Sequence, residues 1–275
     1  NTISGHSGGH SITITQGAFA NIKSNIITGS SGYSAVVISR GSSANIVSNT
    51  IQSAYNGISV QDSSHAILKY NTLNNNSKNG LYVSNNASVI LAEGNTFSNN
   101  TVFGIQMHNG GNLNMWCDEQ LTSPTTISGN TGGTIQFGHG VSAKLCNLTL
   151  SSPTGGIDVG RGAALYMSNI TITNSQKKGL GLWGATAIID NATITGSTEE
   201  GIKIVNGGML EISNSTISGG SKQGIQANMG ATLDMNYVSI TNNQNDGVAL
   251  GGAKAYIGNS TITGNTNAGI RLNNG

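Results

Sequence analysis

Apolar and polar residues alternate along this chain in many short segments, each only a few residues long. In one of them, Ile58 and Val60 flank the polar Ser59. An apolar residue at every second position is the pattern of a half-buried β-strand, because successive side chains point to opposite faces. Clusters of Gly, Asn and Ser separate the segments, as expected of turns. No segment has the 3.6-residue spacing of an amphipathic helix, so the pattern predicts strands only.

The strand-like segments recur, and a first series follows Gly-Ile-x-Val and its variants. Successive members start 22 to 24 residues apart, with one longer interval of 30 residues between Gly104 and Thr134. A regular period of this length is typical of solenoid architectures. The members start at Ser11, Ala35, Gly57, Gly80, Gly104, Thr134, Gly156, Gly179, Gly201, Gly224, Gly247 and Gly269.

Two further series complete each repeat. The second contains alternating segments such as residues 164–167 (Ala-Leu-Tyr-Met) and 232–235 (Thr-Leu-Asp-Met). The third reads Asn-Thr-Ile or Asn-x-Thr-Ile, for example from Asn49 and from Asn169. Each repeat of about 23 residues therefore holds three short strands.

Three short strands per repeat cannot form a meander of hairpins, because equivalent strands are a full repeat apart. Each strand must pair in parallel with its counterpart in the next repeat, about 4.8 Å away. The sequence therefore predicts an all-β fold, a parallel β-helix solenoid of about twelve coils with three short strands per coil. Residues 1–275 form a single domain in this interpretation.

The combination of Asn, Ile, a polar turn and Gly-Ile-x-Val resembles the pectate-lyase-like superfamily of right-handed β-helix repeats. The resemblance covers the whole chain and implies a right-handed helix with a stacked Asn ladder between the second and third strands. It also implies a substrate cleft over the outward face of the first strands. Asn tolerates the left-handed conformation of such a turn. The ladder is expected at Asn25, Asn49, Asn71, Asn95, Asn147, Asn169, Asn191, Asn214 and Asn259.

Composition narrows the range of functions. The chain has 275 residues, of which 40 are Gly and only 8% are charged, and its formal net charge is +1. A net charge of +1 does not provide the strongly positive surface that binds nucleic acid, so nucleic acid is not an expected partner. No apolar run reaches the length of a transmembrane span, and we expect none.

A small charged patch is the candidate catalytic site. Asp158 and Lys203 occupy the outward column of the first strands and are the candidate catalytic pair. Acids and bases held together are what a polysaccharide lyase or hydrolase needs, whereas solvated turn charges are the simpler explanation. Neighbouring turns and the same column supply candidate binding residues, namely Lys177, Lys178, Glu199, Glu200, Gln226 and Arg271.

Motifs that would support catalysis are missing. Gly138-His139-Gly140 copies a tripeptide of polygalacturonases, but the paired aspartates that accompany it in those enzymes have no counterpart, so we interpret it as a coincidence. The Asp-Pro-His signature of alginate epimerases is absent. Glu211 and Asp234 lie at the same position in neighbouring coils, yet two carboxylates do not make a calcium site. No cofactor and no metal are expected, and the balance is against an enzyme.

The outward face of the third strand carries hydroxyl groups in two columns. Stacked Thr-x-Thr pairs resemble the ice-binding faces of β-helical antifreeze proteins. The alternative is that Thr is simply favoured at exposed strand positions. Ile26, Gln52 and Asn74 interrupt the array in the first half of the chain. The residues of the ice-binding alternative are Thr171, Thr173, Thr193, Thr195, Thr216, Thr261 and Thr263.

The two cysteines are expected to form a disulfide. Aligning the coils on the second strand places Trp116 over Cys146 and puts Cys117 one position further on. That offset separates the two cysteines by roughly 6 Å, within the usual Cα separation of a disulfide. The bond would hold the root of a loop insertion at residues 116–124. It would also indicate an oxidising compartment.

These observations favour an extracellular or cell-surface rod, a structural or adhesive β-helix that binds carbohydrate weakly. One alternative is a polysaccharide lyase, hydrolase or tailspike depolymerase, and another is an ice-binding protein. The expected partner is a polysaccharide or cell-surface glycan. Neither end of the chain has an obvious cap, so we expect a larger parent protein, or end-to-end or lateral self-association.

Overall fold

The computed structural model describes residues 1–117, 123–151 and 154–273, and within these ranges every regular element is a β-strand. The strands stack in parallel over about twelve coils, which confirms the predicted β-helix. Those same residues include no helix long and apolar enough to cross a membrane. Part of the predicted 116–124 insertion, residues 118–122, lies outside the described residues.

The first strands form one parallel sheet, which we call the first sheet. Its described part has twelve strands in chain order, so each strand pairs with its equivalents one coil before and after. Ile58, for example, pairs with Leu81, and Leu81 with Ile105. The strands are Ile12–Ile14, Val36–Ile38, Asn56–Val60, Asn79–Val83, Phe103–Met107, Gly133–Phe137, Ile157–Val159, Leu180–Trp183, Ile202–Val205, Ile225–Asn228, Val248–Gly251 and Ile270–Asn273.

The second and third strands join in a single larger sheet, which we call the second sheet. Separate second strands are Phe19–Lys23, Ser43–Val47, His65–Lys69, Ser88–Leu91, Asn112–Met115, Met209–Ser213, Thr232–Asn236 and Lys254–Gly258. Separate third strands are Thr2–Ile3, Ile26–Thr28, Thr50–Gln52, Thr72–Asn74, Thr96–Ser98, Thr126–Ser128, Thr216–Ser218, Ser239–Thr241 and Thr261–Thr263.

Three coils depart from the predicted three strands, because their second and third strands are continuous. The merged strands are Ser142–Ser151, Ala164–Thr173 and Thr186–Thr195. The residue before the third-strand Thr is apolar and buried in these coils: Leu148, Ile170 and Ala192. Most coils with a distinct turn carry a polar residue there, such as Asn71 or Ser215, and Val238 is the exception among the described coils. Each of the three continuous strands still bends at a single left-handed residue, Asn147, Asn169 or Asn191.

The predicted Asn ladder is two columns rather than one. Asn49, Asn71 and Asn95 point inward and are almost fully buried, and their amides are hydrogen-bonded from coil to coil. The Asn residues of the Asn-x-Thr repeats lie one position earlier, where the backbone is left-handed. Their φ values are 44° to 53°, as the turn requires. This outward column contains Asn147, Asn169, Asn191, Asn214 and Asn259.

A second inward Asn ladder, which the sequence analysis missed, supports the turn between the third and first strands. The Asn76 side chain donates to Asn100 Oδ1 at 2.9 Å, and Asn100 donates to Asn130 Oδ1 at 2.9 Å. Asn243 and Asn265 repeat the arrangement near the other end of the chain. Each amide also bonds backbone groups that would otherwise be buried without a partner.

The predicted disulfide between Cys117 and Cys146 is present, with the two Cα atoms 5.5 Å apart. Cys146 is buried in the core, and Cys117 packs against the core at the point where the 30-residue coil leaves the second strand. The bond therefore connects two neighbouring coils next to the insertion.

We expect the double variant Cys117→Ser/Cys146→Ala to lose about 3 kcal/mol of stability, because the bond closes a 29-residue separation in the unfolded chain. Thermal unfolding with and without a reducing agent measures the loss. The parent should melt lower when reduced, while the double variant should be insensitive to the reductant. Two thiols that react with an alkylating reagent in non-reduced protein from its native compartment would contradict the bond.

Candidate functional site

The outward column of the first sheet has the predicted register over all twelve strands. In the second and third coils this column is buried, since Val37 and Ser59 are only 8% and 1% exposed. A groove opens in the middle coils, with a volume of about 370 Å³, within the range of small-ligand sites. We call it the Trp183 groove. It is lined by His108, Gln136, Phe137, Gly138, His139, Asp158, Gly160, Lys178 and Trp183.

Two glycines create the space in this groove. His108, Gly138, Gly160 and Trp183 occupy the same position in four successive coils, one residue after the aligned Met107, Phe137, Val159 and Leu182. The backbone positions of His108 and Trp183 are therefore about 14 Å apart along the helix axis, and the two residues between them in this column have no side chain. A Cβ atom on Gly138 would collide with the His108 imidazole. Glycine is required at this position because the His108 ring lies over it.

Asp158 and Lys178 hold the indole of Trp183. The Trp183 Nε1–H group donates a hydrogen bond to Asp158 Oδ1 at 3.2 Å. The Lys178 ammonium lies 3.8 Å from the same oxygen and 5.2 Å from the centre of the indole ring. Cation–π and hydrogen-bonding contacts of this kind restrict the ring, yet Trp183 is still 37% exposed. An oriented aromatic surface therefore faces solvent beside a carboxylate and an ammonium group.

Basic groups follow the rim of the groove. An adjoining depression of about 670 Å³ brings in Arg161 and Asn206 beside His139 and Trp183. Burial lowers the pKa of His108, and the nearby charges of Lys78 and His139 lower this pKa further. His108 is therefore neutral at pH 7, and its ring can both donate and accept a hydrogen bond.

The predicted catalytic pair is not brought together. Asp158 and Lys203 lie two coils apart, with Gly181 between them, a separation of roughly 10 Å. Lys203 instead lies 3.4 Å from Glu200, which is almost fully buried. Asp158 faces Lys178, and Lys178 also lies 3.9 Å from Glu199.

The other predicted binding residues lie outside the groove. Lys177 is exposed in the turn before the first strand, and Gln226 is half-buried one coil beyond Lys203. Arg271 contacts the buried Asp246 through two hydrogen bonds of 2.9 Å. Burial alone would raise the pKa of Asp246, but the hydrogen bonds from Arg271 and from the Ala268 backbone outweigh it and lower this pKa.

The Thr-x-Thr residues do form two stacked columns on the second sheet. Thr171 pairs with Thr193, and Thr193 with Thr216, while Thr173 pairs with Thr195. Thr261 and Thr263 continue the columns after Ser239 and Thr241. Glu211 and Asp234 pair directly in neighbouring coils. In the described part of the chain, no three His, Cys, Asp or Glu side chains converge as metal ligands would.

The ring-bearing residues His108, His139 and Trp183 of the groove, and Arg161 of the adjoining depression, were not among the predicted site residues. His108, His139 and Arg161 lie in the turn that follows the first strand, and Trp183 is the last residue of its strand. Stacking the Gly-Ile-x-Val repeats and extending the alignment by one residue would have placed His108 and Trp183 in one column with two glycines between them.

Comparison with known proteins supports the fold. A family model described as the right handed beta helix region matches residues 1–120 and 133–275. Among curated proteins, no sequence match is found.

Several solved structures are similar to the chain, among them an epimerase and a tailspike. The first is the periplasmic alginate epimerase AlgG, which is 10% identical, with 88% of this chain and 76% of that chain covered and a TM-score of 0.58. The second is tailspike protein 2 from Escherichia coli O157:H7 bacteriophage CAB120, which is 13% identical. That match covers 91% of this chain but only 37% of the tailspike, with a TM-score of 0.53. At these identities the likeness concerns the fold, and with the family match it shows that the chain belongs to the right-handed β-helix family.

Proposed function

We propose that this chain is the glycan-binding part of an extracellular or cell-surface β-helical rod, and that it binds an acidic polysaccharide in the Trp183 groove. The observation that carries the proposal is the oriented, solvent-facing indole of Trp183 between Asp158, Lys178 and a slot floored by two glycines. Aromatic rings flanked by polar groups are well suited to sugars, which have apolar C–H faces and hydroxyl edges.

The charge around the groove favours a ligand with carboxylates. Arg161 and His139 are exposed at the rim, and Lys178 lies at the wall. A guanidinium group binds a carboxylate through two parallel hydrogen bonds, so Arg161 suits a uronate sugar. Asp158 is then available to accept from sugar hydroxyl groups. A chain of uronates fits a groove that follows the helix axis across several coils.

The ion pairs favour binding over proton transfer. Lys203 is engaged by Glu200, and Lys178 by Asp158 and Glu199, so the candidate acids and bases neutralise one another. A lyase or hydrolase needs a base or acid that is free to exchange a proton with its substrate. The polysaccharide-cleaving alternative would have to use His139 and Asp158, which line the same groove.

Two observations support a location outside the cytoplasm. A disulfide joins Cys117 and Cys146, and such bonds persist in oxidising compartments. Among the similar structures are a periplasmic alginate epimerase and a phage tailspike. The first of these makes alginate the natural first ligand to test.

The variant Trp183→Ala is expected to weaken binding of alginate and polygalacturonate oligosaccharides about tenfold or more, through loss of the stacking surface. Isothermal titration calorimetry measures the affinity. Arg161→Ala should weaken the binding of uronate oligosaccharides but leave the binding of a neutral β-glucan unchanged. Tyr237→Ala removes an exposed ring in another part of the rod and is the matched control. Equal affinities for the parent and Trp183→Ala would contradict this site.

A further inference from the structure

A second groove lies on the second sheet, at nearly the same level of the rod as Trp183. Asn114, Lys144, Tyr166 and Ile188 pair in register as one outward column. The parallel column two residues earlier contains Asn112, Ser142, Ala164 and Thr186, whose side chains are short. The difference in length leaves a depression of about 360 Å³ beside the Lys144 and Tyr166 side chains.

Tyr166 borders a depression on its other side as well. This one has a volume of about 570 Å³ and is lined by Cys117, Lys144, Tyr166, Ser168, Asn169 and Asp190. The Tyr166 side chain therefore stands as a ridge between two open depressions, and the residue is 40% exposed. We call the two depressions together the Tyr166 groove.

The Tyr166 groove repeats the construction of the Trp183 groove. Each has an exposed aromatic ring with a lysine ammonium near its face, 5.9 Å from the ring centre for Lys144 and 5.2 Å for Lys178. Each places an aspartate nearby, Asp190 or Asp158. Each obtains its space from small residues in the adjacent positions. The same combination of groups thus occurs on two faces of the rod within about one coil.

We propose that the Tyr166 groove is a second saccharide-binding site, so that one molecule binds glycan on two faces and can cross-link polysaccharide chains. The class of ligand rests on the proposed function of the Trp183 groove. The location of the site rests on the Tyr166 groove alone.

The lining favours a saccharide over a protein or nucleic-acid partner. Amide and hydroxyl groups from Asn112, Asn114, Asn169, Ser142 and Ser168 line the two depressions, together with one lysine, one aspartate and the exposed side chain of Ile188. Paired amides and hydroxyls match the donors and acceptors of sugar hydroxyl groups. A nucleic acid would require a basic surface, and the single Lys144 does not provide one. Asp190 is already oriented by hydrogen bonds from Ser213 and Asn214 at 2.8 and 2.7 Å.

Counting sites in single variants tests the proposal. The parent, Trp183→Ala and Tyr166→Ala are titrated with alginate, polygalacturonate and neutral β-glucan oligosaccharides, and the stoichiometry is measured by calorimetry. We expect two sites in the parent and one in each variant, with affinity at the lost site reduced about tenfold or more. Tyr256→Ala is the matched control, because Tyr256 lies in the same column beyond Asp234. With long polymer, only the parent should raise turbidity by cross-linking.

The outcomes separate the two proposals. A single site that Trp183→Ala abolishes and Tyr166→Ala leaves intact would overturn the second site and leave the proposed function standing. A single site abolished only by Tyr166→Ala would support the Tyr166 groove and overturn the assignment to Trp183. A parent protein that binds none of these oligosaccharides would overturn both.

Discussion

Ile202→Asp is expected to unfold the coils around it. Ile202 is fully buried and pairs with Leu180 and Ile225 in the inward column of the first sheet. The substitution removes an aliphatic side chain and buries a carboxyl group with no partner, at a combined cost of more than about 5 kcal/mol. This is comparable to the whole stability of many domains. Circular dichroism should show a much lower melting temperature or no cooperative transition.

Hydrogen exchange would locate the damage. Each coil of a solenoid contacts only its neighbours, so amides of the coils next to Ile202 should lose protection first. Thr193→Val is the control, because Thr193 is exposed on the second sheet and its side chain supports no inward contact. The inward assignment of Ile202 fails if Ile202→Asp melts like the parent protein.

Most of the fold could be predicted because the sequence repeats both the alternation within each strand and the spacing between strands. The two-residue alternation determines which side chains face inward, and the spacing of the Gly-Ile-x-Val segments sets the register. Asp158, Gly181 and Lys203 consequently pair as the alignment predicts. The disulfide followed from the same alignment, since Cys117 and Cys146 are one residue out of step in neighbouring coils.

The turns were less predictable, because Asn suits two different environments. In Asn-Thr-Ile its amide points inward and replaces backbone hydrogen bonds, as Asn71 does. In Asn-x-Thr-Ile it occupies a left-handed position on the surface, as Asn191 does. The residue type is the same in both cases. Only the distance to the following Thr distinguishes them, and that distance differs by a single residue.

The candidate site was found only in part. Asp158 and Lys178 were identified from their charge, but the groove depends on Gly138 and Gly160, which contribute space rather than a functional group. The ion-pair partners of the lysines could not be predicted from the sequence either. Lys203 pairs with Glu200, three residues earlier, while Lys178 pairs back to Asp158 in the preceding coil. Side-chain conformation decides such pairings, and the repeat does not specify it.

Asn71→Leu is expected to lower the free energy of unfolding by about 4 kcal/mol, although leucine is similar in size. The Asn71 side chain is fully buried, donates to Ile46 O at 2.7 Å and accepts from the Asn49 backbone N–H at 3.0 Å. Leucine leaves this N–H and this carbonyl buried without their partner, at about 1–3 kcal/mol each. Thermal or urea unfolding measures the change. We expect Asn71→Leu to melt about 10 °C below the parent protein.

Asn191→Gly is the matched control for Asn71→Leu. Asn191 also donates to the Asn of the preceding coil, to Asn169 Oδ1 at 2.6 Å, but it is exposed and its φ is 53°. Glycine adopts this conformation readily, and water can replace the lost hydrogen bond, so the cost should be below about 1 kcal/mol. Equal destabilisation by the two variants would contradict the division into inward and outward Asn columns. A large effect of Asn71→Leu alone would show that the inward amides stabilise the turns through hydrogen bonds. The outward Asn residues would then be needed only because Asn readily adopts the left-handed backbone conformation.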